Sequence, residues 1–297
     1  ERRHPADRAP RPQRGLSPAD AGADRPFKER ISAESVTGLG AALSEAWPAF
    51  PESEFIDLAA SGLGRLELKA RVSHVSDGLV ATMPEDFRSA AAVVRAAIGV
   101  PGFDGWIVFP VNDWVARAGL DDPDTALPLL GELTALWSAE FAIRPFIETH
   151  RRRTFEEFDL WIRSPDEHRR RLVSEGSRPR LPWGRRLREF IDDPAPTIAL
   201  LDRLVDDPSA FVRKSVAHHL NDIGKDHPRL AVDTAARWLA VAEDPVSSGT
   251  SAQPGDPGRR KWIVSHGLRS LIKEGDPAAL RLLGFDPDAE VSVTAFI

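Results

Sequence analysis

The stretch DPSAFVRKSVAHHLNDIG, residues 207–224, decides the fold. Pro208 opens a turn, and Val212, Val216, Leu220 and Ile223 then recur at the three- and four-residue intervals of one helix face. Two other stretches share this plan: SPDEHRRRLVSEGS at 164–177 and DPGRRKWIVSHGLRSLI at 256–272. Each has a turn proline, a basic pair and then an apolar helix. The prolines, Pro165, Pro208 and Pro257, stand 43 and 49 residues apart, and the longer interval holds the extra loop SSGTSAQPG. A period of about 40–47 residues with two helices per unit is the mark of HEAT-type repeats, which stack into an α-solenoid with a concave face.

The repeat assigns a face to particular residues. His218 lies two positions beyond Val216, about 200° around the helix, and Asp222 is one turn further on. Both therefore point away from the core stripe. Aligning the units at Arg170, Arg213 and Arg260 sets Glu175 on His218 and places Arg269 four residues past the matching Ser265. Glu175, His218, Asp222 and Arg269 are expected to share one face of successive inner helices.

Outward from this core the remaining chain reads as helices of a dozen or so residues broken by Pro, Gly or Asp-Pro, an all-α pattern. Order is expected to begin near Phe27, with Ser32 capping a helix that ends at Trp47-Pro48. Residues 1–26, rich in Arg, Pro, Ala and Asp, read as a flexible lead-in without the apolar core of a secretory signal. The repeat domain spans 27–287. In the tail, 288–297, Val291, Val293, Ala295 and Ile297 alternate as in a strand, the expected start of a further β domain.

Composition narrows the chemistry. The 297 residues include no cysteine, which excludes disulfides, thiolate zinc sites and a cysteine nucleophile, and fits a cytoplasmic protein. The net charge of −6 argues against a simple polyanion binder, but charge is unevenly placed. Between Arg144 and Arg188 thirteen arginines face seven acids. Within it, RRRLVSEGSRPRLPWGRRL at 169–187 sets one carboxylate, Glu175, and one tryptophan, Trp183, among seven arginines. Such a block attracts a polyanion through its local field, whatever the total charge.

Three carboxylates stand out: Glu140, Glu175 and Asp222. A cationic groove that positions carboxylates suits hydrolysis of a nucleotide glycosidic bond, because the sugar turns oxocarbenium-like and positive as the bond lengthens. Each acid also has an ordinary reading: an i,i+4 pair with Arg144 for Glu140, a solvated partner of Arg171 or Arg178 for Glu175, and a polar cap linked to Asn221 for Asp222. Trp183 follows SRPRLP, too proline-rich for helix, and offers either a stacking face for a base or sugar or a packing surface between repeats. The histidines at 218, 219, 227 and 266 lack the spacing of a metal site, and no phosphate loop or nucleophile elbow occurs.

The combination of WSAEFAIRPFI at 137–147, RRLVSEGSRPRLPWGRRL at 170–187 and VRKSVAHHLNDIGKDHP at 212–228 resembles the AlkC branch of the bacterial DNA alkylation-repair glycosylases. The likeness extends to LELKARVSHVSDGL at 66–79 and to residues 259–285, covering roughly Phe27 to Phe285. It implies a monofunctional glycosylase of base excision repair, without metal or cofactor, that removes 3-methyladenine and 3-methylcytosine from duplex DNA. It further implies a monomer that bends the duplex instead of flipping the base. Carried onto this chain, Glu140, Glu175 and Asp222 match the active-site acids, Trp183 the groove tryptophan, and Arg171 and Arg178 backbone contacts, with Arg180 and Arg269 as further candidates. The family often carries a C-terminal immunoglobulin-like domain, which the strand-like tail would begin. The competing reading is a repeat protein that binds bent or branched DNA, or a protein partner, without chemistry.

Overall fold

The computed structural model describes residues 26–243 and 256–286, and every regular element among them is helical. Apart from Pro26, the arginine- and proline-rich lead-in lies outside the described residues. So do the alternating tail and all but positions 256 and 257 of the 246–257 insertion.

Helix starts follow local chemistry. Ser32 caps α1 (Ala33–Ala46) by accepting from the Ser35 backbone while the Ser35 side chain accepts in return, and the helix stops at Trp47 before Pro48. Side chains of Asp86, Asp122, Asp166, Ser209, Asp256 and Asp276 cap later helices in the same way. Pro123, Pro257 and Pro277 add a first-turn proline, where no backbone donor is lost.

The N-terminal half continues with α2 (Glu52–Ala60), α3 (Leu68–Thr82), α4 (Phe87–Ala97), α5 (Val108–Ala118) and α6 (Pro123–Leu133). Next come α7 (Ile143–Thr149), α8 (Arg151–Trp161), α9 (Glu167–Gly176), α10 (Arg188–Asp192) and α11 (Ala195–Leu204). The C-terminal part holds α12 (Ala210–Gly224), α13 (Pro228–Glu243), α14 (Pro257–Gly267), α15 (Arg269–Lys273) and α16 (Pro277–Leu282). Helices pair in two layers. In one row α3 packs on α5 and α5 on α7, while α12 packs on both α9 and α14; in the other α4 packs on α6 and α6 on α8. One continuous apolar core runs between the layers from Ile31 to Ala279.

The three repeat helices read from sequence are thus neighbours in space. The expected stripe of α12, Val212, Val216, Leu220 and Ile223, is buried. The repeat is also visible in hydrogen bonding. Arg170 Nη1 donates to the carbonyls of Ser164 and Pro165, and Arg213 Nη1 donates to those of Asp207 and Pro208, so two aligned arginines tie down the turn before their own helix. Arg170 also grips Asp207 at 2.6 and 3.1 Å, linking one unit to the next.

Where α9 ends against α7, space is tight: a Cβ on Gly176 would stand 2.5 Å from Ile143 Cγ2. Gly176→Ala is expected to lower stability by about 1–2 kcal/mol through overpacking. Urea denaturation would show it, and an unchanged midpoint would mean that α7 and α9 are loosely joined.

Candidate functional site

A cleft of about 510 Å³ opens over α9 and α12. Its walls are Glu140 and Phe141 before α7, Arg171 and Glu175 of α9, Arg178 and the stretch from Leu181 to Trp183, Phe211, Lys214, Ser215 and His218 of α12, and Arg269. Six of the eight residues singled out from sequence therefore meet in one place. Asp222 and Arg180 do not line it.

The ionic side chains form an alternating chain. Arg171 Nη1 is 2.7 Å from Glu140 Oε2, and Ser138 Oγ donates to the same oxygen at 2.9 Å. Arg171 Nη2 lies 3.5 Å from Glu175 Oε1, to which Arg178 Nη1 donates at 2.7 Å. Arg178 Nε reaches Asp222 Oδ2 at 2.8 Å, and Lys225 Nζ stands 3.2 Å from Asp222 Oδ1. Ser215 Oγ donates to the other oxygen of Glu175 at 2.6 Å. Three acids alternate with three bases, so the chain is internally neutral while Lys214 and Arg269 leave the cleft cationic.

Several expected pairings change. Glu140 does not pair with Arg144: it sits in a turn ahead of α7, where helical i,i+4 spacing does not operate. Arg144 is fully buried and donates to the Gly176 carbonyl at 2.7 Å and, through Nε, to the Arg185 carbonyl at 2.7 Å. It holds the end of α9 to the following loop. Burial pulls its pKa down to about 10, so it stays charged at neutral pH. Asp222 does point away from the core stripe, yet Arg178 covers it and it is 1% exposed, so it lies behind the cleft floor. It is not a cap linked to Asn221, whose side chain instead accepts from the Ser270 backbone at 3.2 Å. Arg180 is committed to Asp226 by two bonds of 2.6 Å.

Glu175 is the most constrained acid that lines the cleft. Burial alone would raise its pKa, but Arg171, Arg178 and the Ser215 hydroxyl outweigh it and hold the carboxyl below its ordinary value. It is a buried group that stays ionised. His218 is neutral at pH 7: burial first, then the positive Arg178 and Arg269, push its pKa down to about 4. His219 points the other way, fully buried, with Nδ1 at 2.9 Å from the Ser174 carbonyl. Among the described residues no group of three or more His, Cys, Asp or Glu side chains could hold a metal ion.

Trp183 stands 64% exposed on the rim. Gly184 N donates to Leu181 O at 3.1 Å, closing a four-residue turn in which Trp183 has φ 62°. A proline followed by a residue of positive φ is the type II turn, whose third position favours glycine. Trp183 is the one non-glycine residue with positive φ among those described, a strain of about 1–2 kcal/mol. Sequence reading missed Phe211, whose ring Arg171 covers at 5.0 Å, and also Ser215, Lys214 and the role of Arg144. Only Arg144 had a signal, its place beside Glu140.

Two outcomes follow. Because the folded pKa of Glu175 is depressed, its ionisation stabilises the fold above the ordinary value of 4.5 and is lost as pH falls through the folded value. The stability difference between the wild type and Glu175→Gln should therefore be constant near neutrality and shrink below that pH. A pH-independent difference would contradict the ion-pair account. Trp183→Gly relieves the turn, leaving the fold equally stable or up to about 1 kcal/mol more stable. A loss of about 2 kcal/mol or more would mean that the ring is a packing element.

Residues 134–236, which include Glu140, Glu175, Trp183 and Asp222, match the family model of the DNA alkylation repair enzyme. An uncharacterized protein of Bacillus subtilis (strain 168), YhaZ, is 34% identical over 263 residues, covering 88% of this chain and 68% of that protein. The structure of the Pseudomonas fluorescens alkylpurine DNA glycosylase AlkC, bound to DNA containing an abasic site analog, superposes with a TM-score of 0.76 at 36% identity. The likeness covers 88% of this chain and 68% of that one. The chain thus belongs to the DNA alkylation repair enzyme family, as a protein of the AlkC type.

Proposed function

We propose that the protein is a monofunctional DNA glycosylase that excises cationic N3-alkylated bases, 3-methyladenine and 3-methylcytosine, from duplex DNA. One observation carries the reading: an ionised carboxylate, Glu175, is held in the wall of a cationic cleft rimmed by an exposed tryptophan. The AlkC structure bound to abasic DNA supplies the class of partner.

The chemistry follows from charge. Alkylation at N3 makes the base positive, so when the bond from C1′ to the base nitrogen breaks, the electron pair neutralises the leaving group. No general acid is needed, and base flipping, with its cost of a few kcal/mol, brings no advantage. The positive charge passes to the sugar. A carboxylate about 4 Å away at an effective dielectric near 20 stabilises it by up to about 4 kcal/mol, on the order of a thousandfold in rate. Arg171 and Arg178 offset part of that field in the free protein. DNA phosphates compete for these guanidiniums and unmask Glu175.

Water then adds to C1′, forming the C1′–O bond, and its proton passes to the Glu140 carboxylate. Glu140, whose side chain is 17% exposed against 7% for Glu175, is the acid placed to orient that water. Asp222 acts through Arg178 as a positioning residue. Arg171, Arg178 and Arg269 take the phosphates of a duplex bound by a single copy, and Trp183 lies against a sugar or base. Metal and cofactor have no part in these steps.

The pairing of each acid with a base also suits a non-catalytic DNA-binding protein, and one assay separates the two. Purified protein incubated with methylated duplex DNA should release free 3-methyladenine and 3-methylcytosine. If neither appears, the enzyme reading fails. Glu175→Gln should slow single-turnover excision more than tenfold while affinity for abasic DNA stays within about twofold; equal loss of both would assign Glu175 a structural role. Arg171→Ala should weaken binding and flatten its salt dependence by about one phosphate. An unchanged slope would remove Arg171 from the DNA interface.

A further inference from the structure

Trp183 forms part of the wall between two cavities. Besides the cleft that holds Glu175, it and Phe141 line a second one of about 320 Å³, over α3 and α5. Its conformation is one that a tryptophan does not choose by itself, since the third position of a type II turn favours glycine. Three contacts hold the segment around the turn. Leu181 is buried beneath it, Leu187 N donates to Pro179 O at 3.2 Å, and the guanidinium of Arg144 grips the Arg185 carbonyl. None of these bonds reaches Trp183 itself.

One bond does. The Lys69 ammonium, on α3 and 114 residues away in sequence, donates to the Trp183 carbonyl oxygen. The same ammonium stands 5.6 Å from the centre of the Phe141 ring. Lys69 thus spans the second cavity and fastens the strained residue to the opposite half of the solenoid. A lysine there has an obvious alternative use as a phosphate contact, but its donor already points into the turn.

We infer that Lys69 is a positioning residue that holds Trp183 in its left-handed conformation and so keeps the indole at the edge of the Glu175 cleft. The role rests on the glycosylase reading only for its effect on excision; its effect on the turn stands alone. When the lysine is removed, the turn relaxes toward negative φ at Trp183, where a non-glycine residue is comfortable, and the ring leaves the wall.

Amide hydrogen exchange of Lys69→Met and Lys69→Arg, together with single-turnover excision, tests this. Lys69→Met should speed exchange at Gly184, whose amide closes the turn, by about tenfold, the worth of one charge-assisted hydrogen bond, with exchange in α9 and α12 unchanged. Excision of 3-methyladenine should fall by a similar factor, with Lys69→Arg restoring both. In a Trp183→Gly background the lysine substitution should add nothing further to the loss of excision. Unchanged exchange at Gly184 would overturn the inference. So would losses that multiply with those of Trp183→Gly alongside a salt dependence flattened by about one phosphate, which would make Lys69 a backbone contact. A wild type that excises nothing would defeat the glycosylase reading instead, with the exchange measurement still deciding the role of Lys69.

Discussion

The pairing of Glu175 with Arg171 and Arg178 is the constraint on which this structure turns. A carboxylate with 5% exposure is costly to keep charged, by several kcal/mol before compensation. Two guanidiniums and a hydroxyl offset that cost, and each comes from a different place: Arg171 from the same helix, Arg178 from the loop after it, Ser215 from the next repeat. The carboxylate therefore reports on the register of α9 against α12. Arg178 extends the chain to Asp222, which binds the end of α12 into the same arrangement. Removing Glu175 or either arginine breaks a buried pair from one side only, the costly way to break it.

Around this chain the fold supplies rigidity and the loop supplies strain. Arg144, fully buried with only carbonyl oxygens as hydrogen-bond partners, locks the end of α9 to the segment carrying Arg185. Between these fixed points the Leu181–Gly184 turn places a tryptophan where glycine would rest more easily. A strained, exposed aromatic beside a buried, ionised acid is a costly arrangement for stability alone, and such sites concentrate where function demands them.

Much of the architecture was legible in the amino-acid sequence because it rests on local rules. The prolines at 165, 208 and 257 mark repeat boundaries, Ser32 and Asp256 cap as their types dictate, and the stripe from Val212 to Ile223 faces the core by periodicity alone. The site was legible as a set of residues but not as a set of contacts. Angular position placed Asp222 away from the core stripe, yet could not show that Arg178, arriving from a non-helical segment, would cover it. The pairing of Glu140 with Arg171 spans 31 positions and two elements, beyond any helical spacing rule. Arg180 is one arginine among seven in its stretch, and its bidentate bond to Asp226, 46 positions away, carries no signal in that pattern. Nothing in LPWG announces a left-handed tryptophan except the turn signal around it.

The proposed role of Glu175 is to answer a positive charge on the DNA sugar. The most direct measurement compares affinity for two abasic analogues in one duplex, a cationic pyrrolidine that mimics the charged sugar and a neutral tetrahydrofuran of the same shape. The wild type should prefer the cationic analogue by at least about tenfold, and Glu175→Gln should abolish the preference. Equal affinity of the wild type for both, or a preference that survives the substitution, would contradict that role.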